Sequence, residues 1–322
     1  MAITRYLKIG EEANYGEEAT EYDETLDPET ANLESGDDDK LIYEGMSGLD
    51  RIVGLGVYST SGSITLPVDD LATGWFFKWA LGGYEVTGTD DGSGNMVAPF
   101  THMFYPQRSA LMKSFSAKIG KDIFEHIFLG NVVESIEIEM DSEWALMTVN
   151  AIGSKDKRST LEENIEFTEG NLFTAPMASL TKDGIDVSPK INSLSLSIET
   201  GASIEDSAGF GSRFPTKAFN GSLVVSLELT LGFDDMTELE AFWGDISGPS
   251  ENNIEEVSYT LNLGNSLDFI FPRLVYTASN QPAEGRDFIE QSVTARALYD
   301  PTTQEGPIII SLTNSKETYA KG

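Results

Sequence analysis

Residues 221–231 read GSLVVSLELTL, and this stretch decides the fold class. Leu223, Val225, Leu227, Leu229 and Leu231 fall on one face of an extended chain, and Ser222, Ser226, Glu228 and Thr230 fall on the other. Alternation of this kind marks a strand with one face in a core and one in water. The period recurs outward from there. Leu194, Leu196 and Ile198 alternate with serines, Ile136, Ile138 and Met140 with Glu137, Glu139 and Asp141, and Val257, Tyr259, Leu261 and Leu263 repeat the pattern. The chain is expected to be mainly β.

Two short stretches carry helical spacing. Asp69 or Asp70 is placed to cap a turn whose Leu71, Trp75 and Trp79 stack at i, i+4 and i+8 before Gly82 ends it. In the second, Asp234 is placed to cap, Met236, Leu239 and Phe242 or Trp243 form the apolar stripe, and Gly244 is the stop signal. Each helix follows a strand opening with Gly-Ser, so GSITLPVDDLATGWFFKWALG (62–82) aligns with GSLVVSLELTLGFDDMTELEAFWG (221–244). Downstream, FSAKIGKDIFEHIFL (115–129) aligns with SYTLNLGNSLDFIFP (258–272), Gly120 matching Gly264. Blocks repeated in one order indicate a tandem duplication. The organisation expected is an acidic arm (1–40), a first domain (41–160), a linker (161–188) and a second domain (189–322). The extra length of the first copy falls around 83–113 and reads as a long projecting loop that includes Asp90, Asp91, Asn95, Phe100, His102 and Tyr105.

Composition narrows the function classes. The 322 residues include 53 acidic and 21 basic side chains, a net charge of −32, 40% hydrophobic residues and no cysteine. With 10% aromatic residues as well, the content is too high for a disordered acidic chain, and disulfides and thiolate chemistry are excluded. Without clustered Lys and Arg, neither free nucleic acid nor anionic lipid is an attractive partner. No window approaches the length of a membrane span, and Met1–Glu12 lacks a basic-then-apolar leader, so a soluble chain with no membrane partner is expected. Acidity spread along the whole chain suits a high-salt habitat, where screening suppresses self-repulsion, or a charge pattern tuned to a partner or passage.

Catalytic signals are missing. His102 and His126 lie in separate segments, and no zinc helix, nucleophile elbow, phosphate loop or dinucleotide fingerprint occurs. Asp37, Asp38, Asp39 and the 90–95 loop read as solvated acidic loops, lacking the spacing of an EF-hand. No catalytic residue, cofactor or metal site is therefore expected. The first forty residues read equally as a solvated arm or as one that docks on a neighbour through Tyr15, Tyr22 and Leu33.

The order of these features resembles the tail tube proteins of tailed bacterial and archaeal viruses. The resemblance is carried by KIGEEANYGEEAT (8–20), GSITLPVDDLATGWFFKWALGG (62–83), HMFYP (102–106), SFSAKIGKDIFEHIFLGNVVESIEIEMDSEWALMTVNAIGSK (114–155), FNGSLVVSLELTL (219–231) and FIEQSVTARALYDPTTQEGPIIISLTN (288–314). MKSF (112–115) departs from the pattern, since relatives tend to carry a proline ahead of that strand. The resemblance implies two tandem tube-like β-sandwich or half-barrel domains, each with a short flanking α-helix. It implies a structural virion protein of the tail, assembled in the host cytoplasm. Its partner would be itself, in rings stacked around a lumen that conducts DNA without binding it, trimeric and pseudo-sixfold if the duplication holds. Further partners would be tape measure, tail terminator and distal tail proteins. On this reading Glu137, Glu139 and Asp141 line the lumen, Leu71, Trp75, Trp79, Met236, Leu239 and Trp243 pack the helices, and the 83–113 loop and acidic arm make the ring-to-ring contacts. The alternatives are another β-sandwich assembly protein, such as a capsid decoration or surface-layer module, and a secreted halophilic hydrolase using paired carboxylates.

Overall fold

The computed structural model describes residues 3–36, 40–50, 52–90, 92, 96–107, 109, 111–205, 207–283, 289–302, 304 and 306–320. The first half of the chain forms β1 (Leu7–Glu11), β2 (Glu24–Leu26), β3 (Thr30–Ser35), β4 (Lys40–Tyr43), β5 (Ile52–Leu55), β6 (Thr60–Pro67), α1 (Thr73–Leu81), β7 (Gly82–Asp90), β8 (Met96–Pro106), β9 (Phe115–Gly120), β10 (Glu125–Met140), β11 (Leu146–Gly153) and β12 (Lys155–Ser159). The second half forms β13 (Ala178–Lys182), β14 (Ile185–Asp186), β15 (Ile191–Glu199), β16 (Val224–Gly232), α2 (Thr237–Trp243), β17 (Glu256–Leu263), β18 (Leu267–Asn280), β19 (Glu290–Ala297) and β20 (Ile309–Asn314). The protein is mainly β, and all strands except β4 and β5 join one antiparallel barrel-like network.

The strand pairings of the first half recur in the second. In the first, β1 pairs with β2 and β9, β10 with β9, β11 and β12, and β6 with β11 and β3. In the second, β13 pairs with β14 and β17, β18 with β17, β19 and β20, and β16 with β19 and β15. Even the bulges correspond, falling between Val133 and Ser135 in β10 and between Tyr276 and Ala278 in β18. The pairings correct one alignment. Ser63 reaches Ser135 through Asn150, and Glu228 reaches Ala278 through Thr294, so Ser63 corresponds to Glu228 and Gly62 to Leu227 rather than Gly221. Residues 161–188, expected as a connection, supply β13 and β14 to the second half.

Among the described residues, two strand pairings join the halves. β15 pairs with β10 along Ser135–Met140, and β20 pairs with β8. Behind the first junction Ile136, Ile138, Leu194, Leu196 and Ile198 enter a single core that also holds Leu227, Leu229 and Phe269. Each such buried aliphatic side chain contributes roughly 1.5–3 kcal/mol. β10 serves both halves because it bends: Gly130 sits at φ +69°, and its N-terminal part pairs with β9 and β12 while its C-terminal part pairs with β11 and β15.

The two helices differ in depth. Every residue of α1 is buried, and Trp79 stacks on Phe115 with ring centroids 4.4 Å apart. Asp69 accepts the backbone N–H of Leu71 and Ala72 at 2.6 and 2.5 Å, so Leu71 precedes the helix as part of its entry turn, half-buried. Gly82 ends the helix at φ +82°. Gly74 lies beneath the ring of Tyr319, where a Cβ would come within 2.5 Å. α2 is shallow: Leu239 is buried, Trp243 is half-buried and Met236 is exposed. Its first turn is capped by Asp235, which accepts the Thr237 N–H at 2.9 Å, and not by Asp234. α1 is the deeper helix because the C-terminal segment and the β7–β8 hairpin close over it, with Phe77 packed on both Phe104 and Phe269.

The acidic N-terminal stretch is woven into the sheet. Glu11 accepts from Lys78 Nζ at 2.5 Å and Trp79 Nε1 at 3.0 Å, and Glu24 accepts from Lys316 at 2.5 Å and Trp75 Nε1 at 3.1 Å. Glu12 accepts from the hydroxyls of Ser114 and Ser116 and the backbone of Gly16 and Gly130. These buried carboxylates are tolerable because each is hydrogen-bonded on several sides.

A buried polar clasp fastens the C-terminal segment. Tyr84 O–H donates to His102 Nδ1 and His102 Nε2 donates to Asn314 Oδ1, both at 2.9 Å, while Asn314 Nδ2 donates to Tyr319 and to the Asp70 carbonyl. Burial holds the His102 pKa below its ordinary value of 6.5. The unfolded chain therefore takes up the proton first, and stability is lost as pH falls below about 6.5. Urea midpoints measured from pH 7.5 down to 5.5 are expected to fall, and the fall is expected to be shallower in His102→Gln; equal slopes would assign the loss to other groups. Leu196→Ala is expected to cost about 3 kcal/mol. Because one core spans both halves, tryptophan fluorescence and far-ultraviolet circular dichroism should then report one coincident, lowered transition.

Candidate functional site

The junction of β10 with β15 has a second consequence on the side facing away from the core. Registered pairing through β3, β6, β11, β10, β15, β16, β19 and β18 places their outward residues on one continuous face. Across it run Asn32, Ser63, Asn150 and Ser135, then Thr65, Thr148, Glu137, Ser197 and Ser226, then Glu139, Ser195, Glu228, Thr294 and Ala278. Period two dictates this: the partners of these residues in sequence, such as Ile138, Leu196 and Leu227, point into the core.

The centre of the face is lined by hydroxyls, amides and carboxylates, with Pro67, Leu146 and Val224 toward its ends. Hydroxyls and amides bond one another across strands, as Thr65 does with Thr148 at 3.1 Å and Asn150 with Ser135 at 2.8 Å. In registered positions of these strands the outward carboxylates include Glu34, Glu137, Glu139, Glu199, Glu228 and Glu290, with Glu134 exposed at the β10 bulge and the cation Arg296 beside them. No two of these carboxylates are direct cross-strand partners. Glu137 lies between Thr148 and Ser197, and Glu228 between Ser195 and Thr294. Spacing them with hydroxyls avoids the penalty of opposed like charges while leaving a net negative, well-hydrated surface. Such a face repels phosphate.

The structure therefore brings Glu137 and Glu139 together with a face that sequence periodicity shows only strand by strand. Asp141 is exposed just beyond the end of β10. The region expected as a structureless loop around 83–113 is largely the β7–β8 hairpin, whose base is closed by pairing with β20. Phe100 and His102 lie inside this chain's own core, Tyr105 donates to Glu85 at 3.0 Å, and Asp90 is exposed near the tip. Asp91 and Asn95 lie outside the described residues, as do Asp37, Asp38 and Asp39.

A second surface escaped the sequence reading. Among the described residues, β4 and β5 form an isolated hairpin between β3 and β6 and pair only with each other. Leu41, Ile42, Tyr43, Met46, Leu49, Ile52, Val53 and Leu55 are each more than half exposed on it. An apolar surface of this extent on a monomer marks an interaction site. A two-stranded hairpin alone is marginally stable in water, so it gains from a partner that covers it. The signal was present in the text LIYEGMSGLDRIVGLGVY (41–58), where apolar residues do not alternate and therefore cannot all face one core.

Among the described residues no helix is long and apolar enough to cross a membrane. No curated protein matches the chain. The model of the phage tail tube protein family matches residues 4–297, nearly the whole chain, and so includes β1, the polar face and both halves of the repeat. The chain belongs to the phage tail tube protein family and is a structural component of the virion tail.

Proposed function

We propose that copies of this chain form rings that stack into the tail tube, with the face centred on Glu137, Glu139, Ser195, Ser197 and Glu228 turned toward the lumen. The observation that carries this reading is the continuity of that face across the junction of the two halves, where Glu137, Glu139, Ser195, Ser197, Ser226 and Glu228 stand together with no apolar or lysine side chain among them. A wall of hydroxyls and spaced carboxylates lets DNA pass without sticking, because each phosphate meets repulsion and bound water. The recurring pairing pattern supports an ancestral duplication with two tube-forming domains per chain, so that three chains would give a pseudo-sixfold ring. The apolar β4–β5 arm supplies contacts between copies, and end contacts fall to tape measure, terminator and distal tail proteins. The charge of −32 suits assembly at the high ionic strength of a halophilic host. Family membership favours this reading over a decoration protein or a hydrolase.

Purified protein in about 2 M salt, where the Debye length is only a few ångströms, is expected to form hollow filaments visible by electron microscopy. The chain has no cysteine, so Thr148→Cys and Ser195→Cys each introduce a lone thiol. In filaments these thiols should react with a small maleimide but resist a bulky polyethylene glycol maleimide that labels the free subunit. Equal bulky labelling in both states would refute the lumen assignment. Replacing residues 41–55 with a short Gly-Ser linker should leave the unfolding midpoint unchanged while reducing filament formation at least tenfold. Normal filament formation would remove the arm from assembly.

A further inference from the structure

The internal repeat leaves one pairing unmatched. In the first half, the C-terminal part of β10 has β11 on one side and β15, the opening strand of the next half, on the other. Its counterpart, the C-terminal part of β18, has β19 on one side. On the other side β17 reaches only as far as Val275, and among the described residues no strand pairs there beyond it. At the opposite end of the molecule, β3 is the counterpart of β15. It pairs with β6 along one edge and, among the described residues, with no strand along the other. The molecule thus ends in two complementary halves of the junction it already contains.

We propose that β18 of one copy pairs antiparallel with β3 of the next, repeating the β10–β15 junction between chains. This rests on the tube reading above and names the edges that close its rings. The register follows from correspondences already on the ladder. Ser63 pairs with Asn32 and Glu228 with Ser195, which equates Asn32 with Ser195 and Glu34 with Ser197. Beyond the matching bulges, Ser135 equates with Ala278 and Glu137 with Asn280. Since Ser197 faces Glu137, Glu34 of one copy faces Asn280 of its neighbour, and Ser35 faces Ser279.

Two features fit an edge that stays soluble until it meets its partner. Where β10 turns Ile136 and Ile138 to the core, β18 and its extension carry Ser279 and Gln281, which are already hydrogen-bonded to each other. Polar residues on a free edge discourage indiscriminate pairing. Asn280 opposite Glu34 places an amide donor against a carboxylate and puts no second carboxylate there. The added strands also extend the hydroxyl-rich face from one chain to the next, through Thr30, Asn32 and Glu34.

The test uses the cysteine-free chain carrying both Glu34→Cys and Asn280→Cys, assembled into filaments and mildly oxidised. Non-reducing electrophoresis is expected to show a ladder of disulfide-linked multimers ending in one closed species, which counts the chains per ring. The single variants should stay monomeric on the gel, and the mismatched pair Thr30→Cys with Asn280→Cys should give at least tenfold less multimer. Filaments that form normally without the Glu34–Asn280 crosslink would overturn this edge pairing and leave the tube reading standing. Protein that remains monomeric at every salt concentration would overturn both.

Discussion

The β10–β15 junction is the contact on which the rest of the molecule depends. Its inner side contributes Ile136, Ile138, Leu194, Leu196 and Ile198 to the shared core, so neither half can withdraw without exposing apolar surface of both. Its outer side makes two strips of Ser, Thr and Glu into one sheet face. A single backbone ladder thus sets both stability and the geometry of the candidate functional surface. The bend at Gly130 and the bulge beside Glu134 make this possible, since a straight β10 could not leave β9 and β12 to join β11 and β15.

Charge is divided by location. Many carboxylates are in water, where high salt screens them, but Glu11, Glu12 and Glu24 are buried, Glu11 and Glu24 bonded to side chains of α1 and Glu12 to Ser114, Ser116, Gly16 and Gly130. Desolvation pushes the Glu12 pKa upward against four hydrogen-bond donors, and it pushes Lys78 downward against Glu11. Glu11 and Glu24 fix where the N-terminal strands sit on α1, and Glu12 ties the end of β1 to β9 and β10. The surface carboxylates leave the core alone and act on what the protein attracts or repels.

Exposed strand edges and apolar arms are aggregation hazards for a monomer. This chain carries both, in β3, the end of β18 and the β4–β5 hairpin, and a protein that polymerises has a use for each. Among the described residues the second half has no equivalent of the paired β4–β5 arm between β15 and β16; residues 200–205 and 207–223 there form turns, bends and isolated bridges. The halves share their ladder and differ in their attachments, and the family's assembled role gives that asymmetry a direction.

What the sequence alone determined was face and class. Alternation around Leu194–Ile198, Leu223–Leu231 and Ile136–Met140 identified strands and the sides they bury, because side-chain direction in a strand is local. The same locality hid the register. Moving the match of Gly62 from Gly221 to Leu227 is an even slip, which keeps every side chain on its face, so the text cannot distinguish the two. Only long-range hydrogen bonding could choose. Tertiary structure likewise decided that Glu11, Glu12 and Glu24 are buried, that Phe100 and His102 pack inward, and that Ser195 stands beside Glu139 and Glu228. Each of these depends on which distant segment supplies the partner. Charge, period and turn signals are properties of neighbours along the chain, whereas the functional face is made by neighbours across it.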